Sequence, residues 1–176
     1  MNELEEEETL DEKSLYERII NRILSSSSIQ ALRGRISGEK KIAVFVDGPN
    51  FLRKLKNRQI KLEEVDEKIK DLGRTSIRKV ILNEHASEKL IQAITNSGYE
   101  PLVSPHDIYI TLSVEVMETV RDGKNVDIVV IASRHARTAP ILAKVKEKGL
   151  ETVVIGFEPG FSIAAQKMAN QTYFLE

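Results

Sequence analysis

The sequence has 176 residues, of which 41% are hydrophobic and 30% are charged, and its formal net charge is −1. This size predicts one domain with an ordinary core and a short extension. The absence of cysteine excludes disulfides, thiolate nucleophiles and cysteine-based zinc sites. No apolar run approaches the roughly 20 residues of a membrane span, and the acidic N-terminus is unlike a signal peptide, so we expect a cytoplasmic protein. High charge without cysteine is also compatible with heat adaptation.

The charge is unevenly distributed along the chain. Residues 1–12 hold seven acidic residues and no basic one, which leaves 20 acidic against 26 basic residues, or +6, in residues 13–176. We interpret residues 1–12 as a disordered acidic tail. A mildly basic remainder suits a polyanionic partner, and it is equally compatible with an ordinary solvated surface.

Residues 13–38 are predicted to form a helical extension that contains a serine-rich linker. Apolar residues recur at helical spacing up to residue 24, and four serines follow at positions 25–28. The amphipathic helix at 13–24 is a candidate contact with a second copy of the chain or with a protein partner.

Strands and helices alternate from residue 39 to the end of the chain. Predicted strands cover residues 41–46, 77–83, 100–103, 126–132, 151–156 and 172–175. Predicted helices cover residues 50–55, 62–72, 86–96, 108–121, 138–148 and 161–169. Apolar, β-branched strands that alternate with helices predict a mainly parallel sheet with helices on both faces, hence a three-layer α/β/α domain over residues 39–176.

The first predicted strand ends in the most informative segment, VFVDGPNF at residues 44–51. In a parallel sheet, ligands gather at the carboxyl ends of the strands. Asp47 lies at such an end, Gly48 and Pro49 form a tight turn, and Asn50 is expected to cap the following helix. A carboxylate in this crevice is costly without a partner. The pattern is typical of a site residue, and also of a turn with a capping aspartate.

The order of several motifs resembles the NYN domain family, which has a PIN-like nuclease fold. The resemblance runs from residue 41 to residue 176. It rests on the D-G-x-N pattern at 47–50 and on residues 82–103, 113–120, 133–140 and 153–164, the last of which is similar to an archaeal subgroup. It implies a metal-dependent ribonuclease in which acidic side chains hold Mg²⁺ or Mn²⁺.

Only part of the family's acidic set is present in this chain. Asp47 and Asn50 match the first motif, and Glu115 matches an acidic position on the middle helix. These three are the candidate catalytic residues, and Asp47 and Glu115 are the candidate metal ligands. The family's other acid on that helix falls at Tyr109.

The loop after the central strand departs furthest from the family. It usually reads S-G-D-S-D-F-x-P, and here residues 133–140 read SRHARTAP, so two aspartates become His135 and Arg137. A cation about 4 Å from a divalent ion repels it by about 8 kcal/mol at an effective dielectric near 20. We therefore expect a degenerate site with no cofactor. In a divergent nuclease that uses Mg²⁺ or Mn²⁺, the alternative ligands are Asp107, His106 and Glu84, and His135 could hold a softer metal.

The basic residues suggest a different chemistry. We expect Arg134, His135 and Arg137 to bind RNA phosphate, with Arg53 and Lys54 extending the basic surface. The alternative is that Arg137 forms a salt bridge with Asp47 or Glu115 and occupies a site that has lost its catalytic activity. Three hypotheses follow from the sequence: a catalytically impaired RNA-binding protein, a divergent metal-dependent ribonuclease, and a structural or regulatory subunit of a complex.

Overall fold

The computed structural model describes residues 38–52, 58–121 and 126–176, together with the backbone of Lys54 and Leu55. The predicted acidic tail, the predicted helical extension, Arg53 and the side chain of Lys54 lie outside this part of the chain. Within the described part, no helix is both long enough and apolar enough to cross a membrane.

The described part contains eight strands and six α-helices, numbered in chain order. The strands are β1 (Lys41–Asp47), β2 (Lys54–Leu55), β3 (Arg58–Gln59), β4 (Arg74–Asn83), β5 (Glu100–Ser104), β6 (Ile128–Ala132), β7 (Glu151–Gly156) and β8 (Gln171–Phe174). The helices are α1 (Gly48–Phe51), α2 (Leu62–Ile69), α3 (Glu88–Asn96), α4 (Ile108–Arg121), α5 (Ala139–Glu147) and α6 (Ile163–Met168). Two 3-10 turns, Lys70–Leu72 and Ala136–Thr138, adjoin α2 and α5.

The central sheet has six strands in the order β5-β4-β1-β6-β7-β8, and every neighbouring pair is parallel. Strands β2 and β3 form a separate antiparallel hairpin. The chain moves from β1 outward through β4 and β5, and then returns to the other side of β1 with β6. The switch point of this topology therefore lies between the carboxyl ends of β1 and β6, where open α/β sheets bind ligands.

The sheet has a hydrophobic core on each face, because successive side chains of a strand point to opposite faces. Val44 and Val46 belong to the core that includes Val65 of α2 and Ile94 of α3. Phe45 belongs to the opposite core, which α4 and α5 complete with residues including Leu112 and Leu142. Helices thus cover both faces of a mainly parallel sheet, and the predicted three-layer α/β/α fold is confirmed.

Two boundaries that differ from the sequence expectations are the end of α1 and the start of β4. The helix predicted at residues 50–55 ends at Phe51, which is fully buried against the ring of Phe157 at 5.5 Å. Strand β4 begins at Arg74 rather than at residue 77. Gly73, with φ +149°, brings the chain so close to β1 that a Cβ atom would lie 2.2 Å from the Lys40 carbonyl oxygen. A glycine is needed at this approach.

Candidate functional site

The site begins with Asp47, the last residue of β1, whose side chain is completely buried. The turn that follows lies directly against β4. A Cβ atom on Gly48 would lie 2.7 Å from the Ile81 carbonyl oxygen and 2.7 Å from Leu82 Cδ2, so glycine is required there. The sequence Asp-Gly-Pro therefore holds the Asp47 carboxylate at the switch point of the sheet.

The Asp47 carboxylate is satisfied by donors from three segments of the protein. Its Oδ2 atom accepts hydrogen bonds from the Tyr109 hydroxyl and the Ser133 hydroxyl, each at 2.7 Å. Its Oδ1 atom accepts from the backbone and side-chain nitrogens of Asn50, at 3.3 and 3.1 Å. Asp47 is thus the cap of α1, and the prediction that Asn50 caps this helix is wrong. We call these four residues the Asp47 cluster.

Tyr109 occupies the position at which the family carries an acid. Asp107 accepts a hydrogen bond from the Tyr109 backbone nitrogen at 3.0 Å, which fixes the first turn of α4. The phenol oxygen in turn accepts from Asn50 Nδ2 at 3.0 Å. Burial, followed by the negative charge of Asp47, raises the pKa of Tyr109 above its ordinary value. The phenol therefore remains a proton donor to Asp47 at physiological pH.

The loop after β6 turns Ser133 inward and His135 outward. Ser133 is fully buried, whereas His135 is exposed, with its ring centroid 5.0 Å from that of Tyr109. The His135 Nδ1 atom accepts a hydrogen bond from the Arg137 backbone nitrogen at 3.2 Å. Because a backbone N–H can only donate, the neutral imidazole carries its proton on Nε2.

Arg137 forms an ion pair at the edge of the Asp47 cluster. Its Nη2 atom lies 2.5 Å from Asp107 Oδ2, and its guanidinium lies 4.6 Å from the Tyr109 ring centroid. The hydrogen bond from Arg137, and then that from the Tyr109 backbone, lower the pKa of Asp107 below its ordinary value. The predicted pairing of Arg137 with Asp47 or Glu115 is wrong, because its partner is Asp107.

Glu115 forms an ion pair with Lys79. Its carboxylate lies 2.5 Å from Lys79 Nζ, which is also 3.8 Å from Glu100. Lys79 is aligned with Phe45, two residues before Asp47 on the neighbouring strand. The structure thus gives Glu115 a lysine partner at a level of the sheet below the Asp47 carboxylate.

Arg134 joins the loops that follow β6 and β7. Its carbonyl oxygen accepts a hydrogen bond from the Ser162 backbone nitrogen at 2.9 Å, and its guanidinium donates to the Pro159 carbonyl oxygen. The guanidinium also lies 4.3 Å from the centroid of the Phe157 ring. These contacts fix the position of one loop relative to the other.

Between these loops lies an open cleft of about 260 Å³, lined by Asn50, Arg134, His135, Pro159 and Gly160. The sequence analysis predicted the first three residues as site residues and missed the last two. The available signal was the loop position: residues 157–162 follow β7, which pairs with β6, so the two loops share one edge of the sheet. We call this feature the cleft.

Comparison with known proteins matches the sequence to a family. The NYN domain model matches residues 41–176, which include every strand of the sheet. The chain belongs to the NYN family. Its similarity to the uncharacterized protein MJ0482 of Methanocaldococcus jannaschii is 40% identity over 147 residues, which are 84% of this chain and 60% of that protein. The match thus spans less than two thirds of that relative.

A solved structure shares the fold. The crystal structure of VPA0982, a protein of unknown function from Vibrio parahaemolyticus, matches with a TM-score of 0.68 at 15% identity. The match covers 78% of this chain and 94% of that one. At this identity, the likeness shows the fold alone. The family match places the chain among the PIN-like nuclease-family proteins.

The side chains of this NYN domain do not fit the divalent ion that the family implies. Among residues 38–52, 58–121 and 126–176, no three His, Cys, Asp or Glu side chains are grouped so that they could hold a metal ion. Mg²⁺ needs several oxygen ligands in octahedral geometry, and the Asp47 oxygens already accept hydrogen bonds. The proposed alternative ligands Glu84 and His106 are exposed, and Asp107 is paired with Arg137.

Proposed function

We propose that this NYN-family protein binds RNA through basic and polar side chains at the carboxyl edge of its sheet, and that it does not cleave RNA with a metal ion. The observation that carries the proposal is that three candidate acids, Asp47, Asp107 and Glu115, each have a partner within the protein. Asp47 accepts from Tyr109 and Ser133, and Asp107 pairs with Arg137. Glu115 is bound to a lysine.

The replacement of acidic residues in one loop supports the same proposal. A metal-dependent nuclease concentrates carboxylates so that the ion is attracted and the scissile phosphate is neutralised. In this chain, His135 and Arg137 stand at two positions where the family has aspartates. A divalent ion loses its ligands at those positions and meets a cation, whereas a phosphate group meets hydrogen-bond donors.

The cleft offers a surface for phosphate. Arg134 and His135 bring hydrogen-bond donors to its lining, and no carboxylate is among its described lining residues. Arg137 adds an exposed cation beside it, although Asp107 neutralises much of that charge. Phosphate contacts supply most of the sequence-independent affinity of nucleic-acid-binding proteins. The arrangement therefore supports RNA binding without base specificity.

The test is incubation of the protein with labelled single-stranded and structured RNA in Mg²⁺, Mn²⁺ or EDTA, with retention and cleavage scored together. We expect RNA to be retained, retention to weaken as salt rises, and the RNA to remain intact in all three conditions. We also expect no saturable rise in melting temperature with either metal. Metal-dependent cleavage that disappears in Asp47→Asn would overturn the proposal in favour of a divergent ribonuclease.

A second candidate is a structural subunit that binds a further copy of the chain. Ile110 and Val114 lie one turn apart on α4 and are 57% and 48% exposed. Adjacent apolar side chains on a helix surface are a common feature of contact sites. Light scattering would show a dimer that becomes monomeric in the double variant Ile110→Gln, Val114→Gln. A monomeric parent protein would eliminate this candidate.

A further inference from the structure

The cleft has the size and the chemistry of a site for one nucleotide. We infer that it holds a single unpaired nucleotide of an RNA strand, with the phosphate at Arg134 and the base against the ring of His135. This inference rests on the proposed RNA binding and goes further, because it names the form of RNA that is bound and assigns a separate role to each of these side chains.

Size is the first argument. The cleft has a volume of about 260 Å³, just below the range that begins at roughly 300 Å³ for pockets that hold drug-sized ligands. One nucleotide is a ligand of this order of size, whereas inorganic phosphate leaves most of the space unfilled.

The walls are held in place before any ligand binds. Arg134 bonds to the Ser162 nitrogen through its carbonyl and to the Pro159 carbonyl through its guanidinium, and it packs on Phe157. Both loops are thus fixed by one residue. A site with fixed walls loses little conformational entropy on binding, which favours a small ligand.

The phosphate is assigned to the Arg134 guanidinium, which lines the cleft beside Pro159 and Gly160. A guanidinium carries five N–H donors, and a phosphate oxygen is an acceptor for them. The exposed Glu158 carboxylate nearby already accepts a hydrogen bond from the Gly160 nitrogen at 2.9 Å. The His135 Nδ1 atom is bonded to the Arg137 backbone, and the His135 ring is assigned to the base.

The His135 ring is the surface on which a base stacks. It is exposed, and the Tyr109 ring supports it from the protein side at 5.0 Å. Unpaired bases stack on histidine and on aromatic rings in many RNA-binding proteins. A base inside a duplex cannot reach this surface, because both of its faces are covered by neighbouring base pairs. The cleft thus selects unpaired RNA.

Fluorescence anisotropy with a labelled single-stranded oligouridylate tests the inference. We expect uridine 5′-monophosphate to displace the strand at lower concentration than uridine or inorganic phosphate, and a duplex of equal length to bind several-fold more weakly. We expect His135→Ala to lower the affinity about fivefold or more, which is the loss of one stacked base. His135→Phe should retain most of the affinity, since it keeps an aromatic ring.

Comparing His135→Ala with His135→Phe controls for the loss of a structural hydrogen bond. Both lose the Nδ1 bond to the Arg137 backbone, so a difference in affinity between them reports stacking and not the loss of that bond. The matched control is His85→Ala, because His85 is an exposed histidine outside the cleft lining. Its affinity for the strand should equal that of the parent protein.

The outcomes separate this inference from the proposed function. If RNA binds but duplex and single strand bind equally, or if uridine 5′-monophosphate displaces no better than inorganic phosphate, the single-nucleotide inference is wrong and RNA binding stands. Equal losses in His135→Ala and His135→Phe would overturn the stacking role. If the folded protein retains no RNA of either form, both proposals fail.

Discussion

The Asp47 cluster and the cleft lie side by side at the same edge of the sheet, yet one is closed and the other is open. Asp47 and Ser133 are fully buried, and their polar atoms bond to each other and to Tyr109. His135, only two residues after Ser133, faces solvent and lines the cleft. One short loop thus serves both regions. The comparison teaches that one edge of a parallel sheet can combine a closed, hydrogen-bonded centre with an open surface.

The largest effect that would sharpen this comparison is expected for Asp47→Ala. The substitution leaves the Ser133, Tyr109 and Asn50 donors without their buried acceptor, and each such loss costs about 1–3 kcal/mol. We expect the free energy of unfolding to fall by about 3 kcal/mol or more, measured by urea denaturation.

The matched control is Asp71→Ala, since Asp71 is an exposed aspartate. This variant should change the free energy of unfolding by no more than about 0.5 kcal/mol, as is usual for surface substitutions. If Asp47→Ala is as stable as the control, the carboxylate is not a structural centre, and the contrast between a closed and an open region fails.

A smaller effect is expected for Tyr109→Phe. This change removes the hydroxyl that donates to Asp47 at 2.7 Å and keeps the ring that packs beside His135. A hydrogen bond to a charged group contributes about 1.5–3 kcal/mol, and we expect a loss near the lower end because Ser133 and Asn50 still donate. In a double-mutant cycle with Asp47→Asn, the two changes should be coupled by about 1 kcal/mol. Additive effects would show that the bond does not contribute to stability.

The third prediction concerns the cleft. The change is expected to alter RNA affinity more than it alters the stability of the fold. If Arg134 contacts one phosphate, Arg134→Gln should lower the slope of log affinity against log salt concentration by about 0.7, the value per contact for a single strand. The control is Arg74→Gln, because Arg74 is an exposed arginine at the amino end of β4, the opposite edge of the sheet. An unchanged slope for Arg134→Gln, in a protein that keeps its melting temperature, removes Arg134 from the phosphate site.

Local sequence patterns were sufficient to predict most of the fold. The runs KIAVFV and VDIVVIA are apolar and β-branched, and they became the two central strands β1 and β6. The start of β4 was missed because residues 74–76 are polar and partly exposed, so they lack the apolar run of a central strand. Their place in the sheet depends on pairing with β1, which no local pattern records.

The candidate site could be predicted only in part, for the same reason. Asp47 and Asn50 were identified from a short motif, since their contact is local. The bond of Tyr109 to Asp47 spans 62 residues and the ion pair of Arg137 with Asp107 spans the interval between two loops. Both contacts arise from the order of strands in the sheet, which brings distant loops to one edge. The sequence contained the side chains but not their pairing.

The smallest effect is expected from the ion pair of Asp107 and Arg137, which lies at the boundary of the two regions. Hydrogen bonding to Arg137 lowers the pKa of Asp107 in the folded state, so the pair contributes stability above the ordinary aspartate pKa of about 3.9 and loses it as pH falls through the lowered value. The difference in melting temperature between the parent protein and Asp107→Asn should thus be constant near neutral pH and should disappear in acid. Because both side chains are partly exposed, added salt should reduce the difference. Asp71→Asn should show neither change, and a difference that grows in acid would mean that Asp107 stabilises the fold in its protonated form.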